Sequence, residues 1–137
     1  MTQEETLEYN KRCAEFLGWK YSQNYELFYE IDNIWEEKTD GVWYKESDRV
    51  ENPKDYELYY VKVNSFYLKD YNYLLKFHSD WNWIHEVIEA IEKLGHTVDV
   101  WNNVCVIPHL KKSFGETKKE AVVQAINQFL IWYNENK

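Results

Sequence analysis

His85-Glu86 followed by Glu89 comes closest to a reactive pattern in this chain. A metalloprotease helix carries two histidines at i and i+4, with a glutamate base beside the first. Here Glu89 stands where the second histidine belongs and no third ligand is identifiable, so the segment reads as a solvated helix surface and no metal is expected. Cys105 paired with the distant His96 or His109 offers a nucleophile and a base on paper. Its place in an alternating strand instead predicts burial and a raised thiol pKa. Four glycines in 137 residues leave no Gly-rich phosphate loop and no Gly-x-Ser-x-Gly elbow. No catalytic residues and no cofactor are expected.

A binding role has more material. Lys76, His78, Trp81 and Trp83 cluster within eight positions around a helix start. An anionic, planar or nucleotide-like ligand could stack on an indole there, near the free N–H groups of the helix end. At roughly 100° per residue the two indoles stand roughly 160° apart, flanking the stripe centred on Ile84. Both therefore suit the rim of a packed interface at least as well as a cleft.

The elements follow from caps and periodicity. Thr2 with Glu5, and Thr117 with Glu120, are capping boxes; Ser79-Asp80 starts a further helix. The first helix carries Leu7, Cys13, Ala14, Phe16 and Leu17 to a stop at Gly18. The second carries Ile84, Val87, Ile88, Ile91 and Leu94 to Gly95, and the third carries Val122, Ala125, Ile126, Phe129 and Tyr133. Val123, Leu130, Ile131 and Trp132 widen the apolar arc of the third helix, whose second side calls for cover by the first helix or by a symmetry mate. Thr97–Trp101 and Val104–Pro108 alternate around Asn102-Asn103 and predict a hairpin. Its register sets Val100 against Cys105 and Val98 against Ile107 on one face, with Asp99, Trp101, Val104 and Val106 on the other. Two partly apolar faces predict helix layers on both sides. Tyr73–Phe77 reads as a strand joined to the hairpin by a helical crossover, giving a β-α-β-β-α core with a small mixed sheet. Val42–Lys45 and Leu58–Val63 read as strands with a turn near Asn52-Pro53, their pairing open.

Length fits a single domain that buries about two thirds of its unfolded surface. Residues 20–72 form an acidic, aromatic insert within it. Residues 1–60 hold 15 Asp or Glu against 7 Lys or Arg, whereas 61–137 hold 9 against 9, so the net charge of −8 originates in the first part. Such a surface repels phosphate, and direct nucleic-acid binding is not expected. Residues 16–60 carry twelve aromatic side chains, too many for a disordered acidic tail. Trp35, Glu36, Glu37, Asp40, Trp43 and Tyr44 are the candidate partner-binding residues. Two cysteines fit a reducing compartment, and a polar, acidic start with no long apolar run predicts neither a secretion signal nor a membrane span. A cytoplasmic monomer or homodimer is the expectation.

Several stretches are familiar as words. Asn10-Lys11 leading to Ala14-Glu15-Phe16-Leu17-Gly18-Trp19, then Leu75-Lys76-Phe77-His78-Ser79-Asp80-Trp81-Asn82-Trp83-Ile84, then Gly115-Glu116-Thr117-Lys118-Lys119-Glu120-Ala121-Val122 and Trp132-Tyr133-Asn134-Glu135 resemble the phage ABA sandwich domain family. The resemblance covers the first helix and residues 73–137. It implies an α/β/α sandwich, a phage or prophage origin in a bacterial host, and no established active site. A non-enzymatic accessory protein that binds a host or phage protein, by occlusion or by acidic mimicry of DNA, is the first expectation. A binder of a small nucleotide-like ligand is the second, and a hydrolase built on His78, Asp80, His85 and Glu89 is the third.

Overall fold

The computed structural model describes residues 1–22, 42–45, 57–60 and 75–137. The chain forms two compact units: Met1–Leu17 together with Lys76–Lys137, and Gly18–Leu75. The second unit contains a three-stranded antiparallel sheet in the order β1 (Lys20–Ser22), β2 (Val42–Lys45), β3 (Glu57–Tyr60). β2 coincides with the strand expected there. β3 covers the start of the expected Leu58–Val63 strand, whose remaining positions, like the Asn52-Pro53 turn, lie outside the described residues. The register aligns Tyr21, Trp43 and Tyr59 in one cross-strand row, and Lys20, Tyr44 and Leu58 in the next.

The first unit combines helices α1 (Gln3–Phe16), α2 (Trp81–Lys93) and α3 (Lys118–Asn136) with strands β4 (Asp99–Trp101), β5 (Val104–Val106) and β6 (Ser113–Phe114). The caps act as their residue types require. Thr2 accepts from the Glu5 N–H at 3.1 Å, Asp80 from Asn82 at 2.9 Å, and Thr117 from Glu120 at 3.1 Å. The Glu120 carboxylate reaches back to the Glu116 N–H at 3.2 Å, one position before the cap. Gly18 and Gly95 stop their helices at φ +82° and +95°, where a Cβ would be strained.

The core lies between α3 and its neighbours. Ile84, Val87 and Ile91 of α2 and Val122, Ile126 and Phe129 of α3 are buried, each apolar side chain contributing on the order of 1.5–3 kcal/mol. Leu94, expected in the α2 stripe, is 49% exposed because Gly95 ends the helix before another turn can cover it. On the other side of α3, Val123 and Leu130 are buried and α1 packs alongside, with Arg12 donating to Asn127 Oδ1 at 3.0 Å. Phe16 meets Phe129 and Tyr133 edge to face at 6.0 and 5.4 Å.

Among the described residues, the sheet of this unit is an antiparallel meander, β4-β5-β6, rather than the expected mixed sheet. Of the expected Tyr73–Phe77 strand, Tyr73 and Leu74 lie outside the described residues, and no strand runs through Phe77. Leu75 and Lys76 carry no regular structure and Phe77–Ser79 form a turn, because the Lys76 carbonyl accepts from both the Ser79 N–H at 3.1 Å and the Asp80 N–H at 2.9 Å. The third strand is instead β6, paired to β5 through Val104↔Phe114 and Cys105↔Ser113. The hairpin register is the expected one, Val100↔Cys105 with Asp99↔Val106 and Trp101↔Val104, over shorter strands than 97–101 and 104–108. Asn102 takes φ +52° in its turn. The expected cover on both faces, however, is not found among the described residues. Cys105, Ile107 and Ser113 are buried on the side of α3, while Trp101 and Phe114 on the other side are 48% and 61% exposed. Among the described residues, no helix is long and apolar enough to cross a membrane.

Candidate functional site

The turn before α2 is held by α1. Tyr9, fully buried, donates its hydroxyl to the Phe77 carbonyl at 3.0 Å, and Asn10 Nδ2 lies 3.0 Å from His78 Nδ1. With Asn10 donating, Nδ1 is the acceptor and the ring proton resides on Nε2. Asn10 Oδ1 is buried without a hydrogen-bond partner. Partial burial lowers the His78 pKa below its usual value, favouring the neutral ring.

His78 lines a hollow of about 250 Å³ together with Thr6, Thr117, Lys119, Glu120 and Val123. Lys119 and Glu120 bring opposite charges to it, and the carboxylate is already engaged by the Glu116 N–H. Lys119 Nζ stands 5.8 Å from the centre of the Trp81 ring, a cation–π distance. The same indole lies 5.6 Å from the His85 ring.

The four residues expected to bind a ligand do not converge. His78 reaches the hollow and Trp81 adjoins it through Lys119. Trp83 packs edge to face on buried Phe77 at 4.8 Å, as a rim residue of the core. Lys76 contributes its backbone carbonyl to the turn. Asn10, Thr117 and Lys119 are the site residues that sequence reasoning did not single out as binding groups. Thr117 was visible only as a cap, and nothing local links Asn10 to His78, 68 positions away.

Of the candidate partner-binding residues, Trp35, Glu36, Glu37 and Asp40 lie outside the described residues, and Trp43 and Tyr44 are on β2. Residues 18–75 carry 12 Asp or Glu against 7 Lys or Arg, net −5. Cys105 is buried, its thiol pushed up to about 11 by burial with Asp99 adding to the effect. Of the two bases suggested for it, His96 packs on Phe129 and Trp132 at 5.0 and 5.8 Å, and His109 is exposed in a turn at φ +73°. Among the described residues, no group of three or more His, Cys, Asp or Glu is placed to hold a metal ion. Comparison with protein-family models, curated proteins and solved structures returned no match to this chain.

Proposed function

We propose that this protein is a non-enzymatic binding module, a phage or prophage accessory protein that engages a basic surface of a host or phage protein through the unit Gly18–Leu75. The observation that carries this reading is the compactness of that unit by itself, combined with its net charge of −5 and the cross-strand row Tyr21, Trp43, Tyr59. Acidic groups steer a basic partner and rings supply contact area at small entropic cost. The small-ligand reading has less support, since a hollow of about 250 Å³ falls below the size that encloses a nucleotide-like molecule.

The test is capture from bacterial lysate by the intact protein and by the triple variant Glu36→Gln, Glu37→Gln, Asp40→Asn, over a salt series with and without competing DNA. A partner lost on neutralisation, weakened by salt and displaced by DNA supports acidic mimicry. Capture indifferent to salt and to the triple variant refutes it.

A further inference from the structure

The outer face of β4-β5-β6 carries Trp101, Val104 and Phe114 in one cross-strand row, Trp101 and Phe114 exposed at 48% and 61%. Two positions along the strands, Asp99 pairs with Val106. Continuing the ladder by one step sets exposed Lys112 across from Val106, on the same side as Phe114 by strand alternation. The face therefore has an apolar centre, an acidic corner on β4 and a basic corner beside β6.

We infer that this face binds a second copy of the chain, sheet on sheet. A two-fold axis parallel to β5 carries β4 of one copy over β6 of the other. Asp99 then meets Lys112, Trp101 meets Phe114, and each valine meets its own equivalent, so the patch is complementary to itself as an isologous contact requires. Strands stay nearly aligned across the interface, the arrangement two packed sheets favour. Strands of three, three and two residues make a small face against about 800 Å² per partner in a standard interface, so the expected dimer is weak and concentration-dependent. The inference is independent of the partner proposed for Gly18–Leu75.

Sedimentation velocity of the full chain tests it, from about 1 to 500 μM, a range in which weak association becomes visible. The weight-average mass is expected to rise toward twice the monomer's. Trp101→Glu and Phe114→Glu each weaken association by roughly a hundredfold, because each ring acts twice per dimer. Asp99→Lys weakens it by about three- to tenfold, and adding Lys112→Asp restores it. Circular dichroism checks that each variant keeps its fold. A monomer throughout the range, a dimer that survives both ring substitutions in folded protein, or a double charge swap no better than the single one overturns the inference.

Discussion

Tyr9 and Cys13 lie one turn apart on the buried side of α1, and burial raises the pKa of both. A group whose folded pKa is raised contributes its stability below the unfolded pKa and loses it as pH climbs through the folded one. For Cys105 that loss begins at about 8.5, the ordinary thiol value, and continues through about 11. Both cysteines are therefore expected to resist a thiol reagent in native protein at about pH 8 and to react fully in denaturant; rapid native labelling would contradict the packing. His78 has the opposite sign. Its folded pKa is depressed, so the unfolded chain binds more protons in the window below about 6.5, and stability falls as pH drops through it. Protonation also turns Nδ1 into a donor, so the Asn10 amide must rotate to offer its unpartnered Oδ1. Histidine titration by NMR should give His78 a midpoint below the ordinary 6.5, and His78→Gln should flatten the acid limb of stability.

Gly115 shows how an element constrains a residue. A Cβ there would stand 2.6 Å from the Ala121 backbone nitrogen and 2.9 Å from the Thr117 carbonyl oxygen, in the first turn of α3. Its own N–H and C=O bond to Asn103, at 3.1 and 2.7 Å, so backing away would break the tie to the hairpin turn. Gly115→Ala is expected to cost about 1–3 kcal/mol in chemical denaturation. Thr117→Ala removes the α3 cap and is expected to cost about 1 kcal/mol, with Thr117→Ser close to wild type. These helix ends were legible beforehand because a cap is a contact between residues two or three apart. The Phe77 turn was not, since its apolar alternation looks like a strand until the Tyr9 hydroxyl and the Lys76 carbonyl claim its backbone.

At the scale of the whole molecule, α1 is separated in sequence from its packing partners by Gly18–Leu75, yet bonds to Phe77, His78 and Asn127. Loop-closure cost grows slowly with length, so shortening this connection leaves those contacts worth making. Replacing residues 20–72 by a flexible Gly/Ser linker should preserve helical circular dichroism and a cooperative melt; a non-cooperative product would show that the first unit depends on the second.

Helix positions, their caps and the hairpin register can be read from the residues in order, because periodicity, capping and a two-residue turn act over a few neighbouring positions. The acidic bias of the first 60 residues is equally a property of composition. It takes the folded chain to show that β6 supplies the third strand, that Asn10 meets His78, and that the outer face of the sheet leaves Trp101 and Phe114 exposed. Those outcomes depend on which distant groups compete for the same backbone bonds and apolar surface, and no local pattern records that competition.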